Sequence, residues 1–495
     1  MILFLFITLV TFLVYLCFKD IKKPYLYPPG PGWYPFIGSS HVFTRLARSE
    51  GGSHLALQKL CKQYNTNVLG LKLGPEKVVV VSSYPVVKKI LLSEEYDGRP
   101  DNFFIRLRSM GTKKGITSAD GELWTIQRRF VVQHLRDLGF GKGYMEDMVK
   151  QQLLHILDVI EQNEDHVVMG EILSKPIMNI LWAMTAGSAI PEAKLNKLFS
   201  LMARRTKIFD MAGGILNQFP WLRFVAPEKT GYTLMQNFNK ELKEFFMDII
   251  NEHKESWRED RKDDVIYSFI TEMKKKRDDP HTTFTEDQLV MVCADIFIAG
   301  GKTTSTFLDF AFLMMALHPE VQHKIHKELD GYLNGKKTVD FSDKQNLPYT
   351  KAVLFEIERF CHVTPITGPR RVLADTVLEG YRIPKETTVL INSYSVHNDE
   401  EFWKDPQNFR PERFFGDDGS NMNTERLIPF GQGKRRCFGE ALARSCMFIF
   451  FAGILKKYRV EFAPESQKKV RKIFVPGIIL TPEPYVLKLT KRKVY

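Results

Sequence analysis

Residues 428–451, IPFGQGKRRCFGEALARSCMFIFF, constrain the fold of this chain more than any other stretch. Gly431, Gly433 and Gly439 surround Cys437, and an apolar helical pattern starts directly afterwards. Glycines let a backbone bend closely round a flat ligand, and amides at a helix N-terminus favour an anionic sulfur. Lys434, Arg435 and Arg436 add positive charge that is expected to lower the thiol pKa. The segment reads as a loop that presents one thiolate, so the rest of the chain has to wrap what that sulfur holds.

The other cysteines take no part in a staple. All six, at 17, 61, 293, 361, 437 and 446, stand singly, without a Cys-x-x-Cys pair. A disulfide framework and a structural zinc site are therefore excluded as expectations. The 495 residues suffice for a large core. After Gly38 no linker, low-complexity run or internal repeat interrupts them, so residues 39–495 read as one domain. The net charge of +12 invites an acidic protein, anionic lipid or nucleic acid. No recognised nucleic-acid motif accompanies it, so no nucleic-acid partner is expected.

Residues 1–18 carry no charge and are long enough to cross a bilayer. With no positive n-region before them and no small-residue cleavage site after them, a retained anchor is expected rather than a signal peptide. Lys19, Lys22 and Lys23 place the downstream chain in the cytosol. Residues 19–38, basic and then Pro-rich (PYLYPPGPGWYPFIG), read as a hinge.

Helical periodicity prevails. It runs through 145–162 and 232–255, while short β-type runs appear at 68–74, 77–83, 388–394 and 486–492. The fold class is mainly α with small β sheets. Thr285 with Gln288 predicts a capping box opening a helix to about Leu317, long enough to cross the molecule. Inside it stand Ala299, Gly300, Gly301, Lys302, Thr303 and Thr304. The paired glycines serve either a bound ligand or tight helix packing, and the residues alone leave both open.

Phe430, Gly433, Arg435, Cys437 and Gly439 fit F-x-x-G-x-R-x-C-x-G. The long helix carries A-G-x-x-T-T, Glu356 and Arg359 form E-x-x-R, and FRPERF at 409–414 contains Arg413. GRP at 98–100 and W-x-x-x-R at Trp124 and Arg128 extend the pattern. In these motifs the chain resembles the cytochrome P-450 superfamily of haem-thiolate monooxygenases. It looks like the microsomal type, and like the insect branch that includes juvenile-hormone (methyl farnesoate) epoxidases.

That resemblance implies a cytochrome P-450 fold with haem b, and Cys437 as axial ligand of its iron, the sulfur donating electron density that favours O–O cleavage. Phe430 packs beside the sulfur and Gly439 belongs to the same cofactor loop. Trp124, Arg128, Arg370 and Arg435 pair with the haem propionates, since carboxylates removed from water need charge-assisted hydrogen bonds. Glu356, Arg359 and Arg413 form a buried structural triad. Gly300, Gly301 and Thr303 lie over the open iron face, where the Thr303 hydroxyl holds water for proton delivery. The position before Thr303, normally acidic, is Lys302 here. This lysine either faces water or sits at the active site, relaying protons or pairing with a substrate carboxylate.

The resemblance further implies an endoplasmic-reticulum enzyme facing the cytosol. It would insert one oxygen atom of O2 into a small lipophilic substrate by hydroxylation or epoxidation. No flavin or nicotinamide fingerprint is present, so electrons would come from NADPH-cytochrome P-450 reductase, with cytochrome b5 as a second donor. Alternatives are an amino-acid N-hydroxylase forming an aldoxime and an O2-independent isomerase or dehydratase. Family position puts substrate recognition near 101–117, 200–228, 363–367 and 476–481. The apolar, aromatic stretch 211–225 is expected either to meet the membrane or to pack under a loop. Arg106, Arg108, Lys113 and Lys114 are expected at the solvated surface.

Overall fold

The structure is a computed structural model that describes residues 1–495 except 138, 140–142, 188–189, 207–213, 262–263, 337, 416–422, 467–473, 478 and 493–495. Part of the 211–225 stretch therefore lies outside the described residues. Helices dominate, and the periodic stretches form where expected, at Gly143–Gln162 and Tyr232–Glu255. The long helix spans Glu286–Leu317 without a break, about 48 Å, and packs against the helices Ser174–Ala186, Pro348–Cys361 and Glu440–Lys457. Apolar side chains are buried all round it, as suits a helix through the middle of a large core.

Its N-terminus forms only half of the expected capping box. Thr285 Oγ1 accepts from the Gln288 amide at 3.3 Å. The Gln288 side chain instead accepts from the Gly115 amide at 3.0 Å and donates to the Gly115 carbonyl at 3.1 Å. A buried loop backbone with no ladder partner outcompetes a helix end for that amide.

A four-stranded sheet flanks the helices, in the order β1–β2–β6–β3. β1 (Val68–Leu73) and β2 (Glu76–Val81) pair antiparallel from Val68 opposite Val81. β3 (Thr367–Arg371) runs antiparallel to β6 (Thr388–Ile391), which lies parallel to β2. β6 stops at Ile391, short of the expected end, because Ser393–His397 turns into a helix. Hairpin β4–β5 (Thr376–Leu378, Tyr381–Ile383) and pair β7–β8 (Tyr458–Phe462, Leu487–Lys491) complete the sheets.

The N-terminal helix covers Ile2–Ile21, three residues beyond the expected anchor, and none of its apolar span is buried in the protein. It is long and apolar enough to cross a membrane. The stretch after it is no free spacer. Lys72 is ion-paired with Asp20, and Tyr27 Oη donates to the Val78 carbonyl at 3.0 Å. A Cβ on Gly30 would meet the Gly70 carbonyl oxygen at 2.0 Å. Prolines and glycines here let the backbone lie flat on β1, so the hinge is part of the domain.

Three imidazoles are buried where the sheet meets the helix ending at Cys361. The rings of His362 and His397 stack at 5.6 Å, and Tyr394 stands edge-on to both His54 and His362. Burial pulls His54 down to about 4 and His397 to about 3, with Arg359 adding to the effect on His397, and His362 also falls. Each binds a proton more readily when unfolded, so the stability owed to their neutrality is complete above about pH 6.5 and is lost as pH falls, through about 4 for His54 and about 3 for His397. Asp309, which burial raises to about 6, acts in the opposite sense over part of that range. The urea midpoint should therefore decline on acidification, at roughly 1.4 kcal/mol per pH unit for each histidine that titrates. His397→Gln should remove about one proton from that slope; an unchanged slope contradicts the assignment.

Candidate active site

The 430–439 loop takes its shape from two left-handed glycines. Gly431 has φ 67° and Gly433 φ 72°, and a Cβ on Gly433 would lie 2.1 Å from the Leu91 carbonyl oxygen. The Cys437 amide donates to the Phe430 carbonyl at 2.9 Å, closing the loop. Gly439 is the N-cap of Glu440–Lys457, and a Cβ there would sit 3.9 Å from Cys437 Sγ, so glycine leaves the sulfur uncovered. Phe430 lies half-buried at the base of the loop with the Arg444 guanidinium 4.7 Å over its ring.

Cys437 is exposed, whereas Cys61, Cys293, Cys361 and Cys446 are buried and Cys17 is half-buried. Its sulfur opens on a recess of about 480 Å³ that includes Arg128, Arg436 and Phe438. The expectation of a lowered pKa fails for the free thiol. Desolvation in the recess raises it and outweighs the Gly439 amide, Arg128 and Arg436, while Glu440 also raises it. The basic neighbours are already engaged: Arg436 holds Glu440 at 2.5 Å and Lys434 is paired with Glu94. Such a thiol ionises when a metal takes the place of its proton. Among the described residues no group of three His, Cys, Asp or Glu side chains could hold a metal ion.

Arg128 also lines an adjoining recess of about 590 Å³, with Trp124, Asp97 and Arg435. Arg435 stacks 3.7 Å over the Trp124 ring and donates to the carbonyls of Asp97 and Ala119. Arg370, fully buried, donates to Asp97 Oδ1 at 2.9 Å. Arg99 Nη1 donates to the carbonyls of Gly368 and Pro369. Burial and the charge of Arg370 pull Arg435 down to about 9, and the same causes, with Arg435 and Arg108 added, lower Arg99. Asp97, paired with Arg370, and Asp120 offset part of this charge, and the four guanidinium groups left around them suit further anions. Trp124 Nε1, Arg99 Nε and Arg370 Nε are buried without partners. These orphaned donors, the crowded guanidinium groups and the uncovered sulfur fit haem, whose carboxylates would take the donors and whose iron would take Cys437.

The structure thus brings together Trp124, Arg128, Arg370, Phe430, Arg435, Cys437 and Gly439. Arg99 and Asp97 were missed as participants. The GRP motif was visible, but the guanidinium repulsion it enters was not, and Asp97 is recognisable only by its contacts with Arg370 and Arg435.

In the long helix the two glycines face another helix. A Cβ on Gly300 would meet Leu181 Cδ1 at 2.9 Å, and one on Gly301 would meet Met178 Sδ at 2.6 Å. Their missing side chains are explained by close packing on Ser174–Ala186, and the expected cofactor contact of Gly300 is not where its Cβ would point. Ala299 lines a cavity of about 310 Å³. The hydroxyl of half-buried Thr303 donates to the Ala299 carbonyl at 2.9 Å. Lys302 is exposed and is not among the walls of that cavity. Its charge reaches Asp309, seven residues along the helix, which accepts from Tyr485 Oη at 2.7 Å.

Two of the basic residues expected at the surface are drawn inward. Arg108 lines the same cavity and burial lowers its pKa, opposed by Asp295. Lys113 is mostly buried against Asp120 at 2.8 Å, whereas Arg106 is exposed beside Asp101 and Lys114 lies 3.6 Å from Asp287. Asp295, unremarked in the sequence, fixes this loop by accepting from the amides of Ile116 and Thr117 at 2.7 and 2.8 Å. Glu356, Arg359 and Arg413 meet behind the loop. Arg359 grips Glu356 through Nε and Nη2 at 2.7 Å each, and Arg413 Nε reaches Glu356 Oε1 at 3.0 Å.

The cytochrome P450 family profile matches residues 28–489. A probable cytochrome P450 305a1 of Drosophila melanogaster is 42% identical, covering 99% of each chain. Farnesoate epoxidase of Bombyx mori is 34% identical over 95% of this chain and 94% of its own. Human cytochrome P450 2J2 is 32% identical over 96% of this chain and 93% of its own. A likeness running the length of the chain, centred on its uncovered thiol, is more than a shared loop: the protein belongs to the cytochrome P450 family of haem-thiolate monooxygenases and uses haem b.

Proposed function

We propose that the protein inserts one oxygen atom of O2 into a small lipophilic substrate, by hydroxylation or epoxidation, using NADPH through a membrane-bound reductase. The observation that carries this reading is the exposed Cys437 sulfur beside a recess of crowded guanidinium groups with orphaned donors. When bound, a thiolate-ligated haem supplies reductive activation of O2 and O–O cleavage. The chain's own residues do the rest. Trp124, Arg99, Arg128, Arg370 and Arg435 hold the carboxylates, Phe430 limits access to the sulfur, and Gly439 leaves it uncovered. Thr303 Oγ1, bonded to the Ala299 carbonyl, is placed to hold a water and pass a proton. The cavity beyond Ala299, walled in part by Leu73, Val78, Phe104, Ile105 and Leu390, takes the apolar body of the substrate and excludes water.

The farnesoate epoxidase relative makes terpenoid acids and their esters sensible first substrates. The amino-acid N-hydroxylase alternative loses its footing because Lys302 is not in the cavity wall. The O2-independent isomerase alternative has no observation in its favour, and Thr303 is retained. Turnover in membranes with a reductase tests the reading: product formation should require both NADPH and O2, and product without them overturns it.

The endoplasmic-reticulum location, with the domain on the cytosolic face, rests on the apolar Ile2–Ile21 helix and the lysines that follow it. Lys434 and Arg436 lie exposed next to the thiol recess, so an acidic donor would exchange with Glu94 and Glu440 for them. The rate of haem reduction by the reductase should therefore fall severalfold between about 0.01 and 0.15 M salt; a salt-independent rate contradicts this docking. Cytochrome b5 would meet the same face.

A further inference from the structure

Arg444, in the second turn of the helix Glu440–Lys457, is tied to both flanks of Cys437. Its Nε donates to Glu440 Oε1 at 2.8 Å and its Nη1 donates to Glu358 Oε1 at 2.8 Å. The guanidinium carbon stands 4.7 Å from the centre of the Phe430 ring. Glu440 follows Cys437 by three residues, and the Phe430 carbonyl accepts from the Cys437 amide at 2.9 Å. Glu358 adjoins Arg359 of the buried triad. One planar fork of donors therefore joins the two sides of the sulfur to the helix Pro348–Cys361.

Charge gives these contacts a consequence beyond packing. Arg128, Arg136, Arg436 and Arg444 line the recess that the Cys437 sulfur opens on, and among the described residues Glu440 is its one carboxylate. Glu358 is buried and is not part of that wall. A carboxylate beside a thiolate opposes further negative charge, and each electron delivered to the iron adds one. Two cations offset Glu440. Arg436 meets it at 2.5 Å but has 59% of its side chain exposed, so water and salt screen that pair. Arg444 has 23% exposed, and its compensation is screened less.

We infer that Arg444 is a positioning residue that sets the reduction potential of the haem, by pinning Glu440 to itself and neutralising it beside Cys437. This rests on ligation of the iron by Cys437 and deepens that reading. One electron from the reductase turns ferric iron to ferrous, and Arg444 favours the ferrous side of that equilibrium. When an acidic donor takes Arg436, Arg444 stays as the partner of Glu440, so the iron remains reducible while the donor is docked.

The test is a dye-equilibrated redox titration of the haem-loaded full chain in membranes. Arg444→Gln keeps a donor for Glu358 and removes the charge. It should move the equilibrium about tenfold towards ferric iron, about 59 mV for a one-electron couple, the scale of one uncompensated charge in a partly buried site. Glu440→Gln should move it the other way. The double variant should return to within about twofold of the unaltered protein, because the charge that needed compensation has gone. Arg444→Lys, which keeps the charge and loses the fork, should regain most of the shift. A role in packing alone gives another pattern, in which the second substitution adds to the damage of the first. An unchanged potential in Arg444→Gln, or a double variant no nearer the unaltered value than Arg444→Gln, overturns the proposal. If Arg444→Gln takes up no haem, Glu440→Gln decides by itself, and no shift towards ferrous iron overturns it. The reduced carbonyl spectrum shows that each variant keeps its thiolate ligand. A carbonyl complex of the unaltered protein without the red-shifted band counts against ligation by Cys437 and is a separate result.

Discussion

Cys437→Ser should abolish the red-shifted band of the reduced carbonyl complex and lower turnover by more than about a hundredfold. Even residues that only support a metal ligand cost about 10–100-fold when replaced, and here the ligand itself is lost. The loop should survive the change. Its geometry depends on the Cys437 amide bonded to the Phe430 carbonyl and on the left-handed Gly431 and Gly433, none of which involves sulfur. A serine hydroxyl stays protonated at neutral pH and donates little electron density to iron. No other described thiol can stand in, because Cys446, nine residues on, is fully inside the helix Glu440–Lys457 and burial holds its proton firmly. Cys446→Ser is therefore the matched control and should keep the band. The reading fails if Cys437→Ser retains it.

The extent to which the site was legible in sequence follows from how local each contact is. The thiol loop could be read because Gly431, Gly433, Cys437 and Gly439 act within ten residues of one another. The Thr285 cap was legible for the same reason. The partner of Gln288 was not, since Gly115 lies 173 positions away in the chain. Gly300 and Gly301 were ambiguous because the side chains they accommodate, Leu181 and Met178, belong to a helix more than a hundred residues earlier. Arg108 and Lys113 looked like surface charge because a run of basic residues normally is. Only the fold shows Asp295 and Asp120 beside them. The thiol pKa went astray in a similar way: local cations were visible, but the desolvation of the sulfur in its recess, which outweighs them, depends on the fold. The N-terminal Pro-rich stretch has the composition of a spacer, and what makes it structure is an edge of β1 waiting for a backbone.

Glu356→Leu should destabilise the folded protein by about 3–5 kcal/mol and lower haem retention with it, although Glu356 is no part of the thiol recess. Its carboxylate is completely buried and receives Arg359 Nε and Nη2, Arg413 Nε and the Arg410 amide. Removing it leaves two buried guanidinium groups, Arg413 with Asp405 at 3.1 Å as its remaining carboxylate partner and Arg359 with none. Arg359 still donates to the carbonyls of His397 and Pro406, and Arg413 to that of Trp403, so both remain pinned and cannot swing out to water. The segment held in this way runs from the helix Pro348–Cys361 to the short turn Pro411–Phe414, and that turn leads towards the loop that holds Cys437. Loss of the triad should therefore appear as weaker haem binding as well as a lower urea midpoint. Breaking the exposed pair Lys59–Glu50 provides the comparison, at about 1 kcal/mol or less. A second variant decides whether the triad is needed for stability or for geometry. Replacing Glu356, Arg359 and Arg413 together by Leu, Met and Met removes every charge of the triad, and such replacements can restore stability. If that triple variant recovers the urea midpoint but still loses haem, the ion pairs set the position of the loop. If both recover, the triad contributes packing and nothing more specific, and if Glu356→Leu alone changes neither quantity, the triad has been misread altogether.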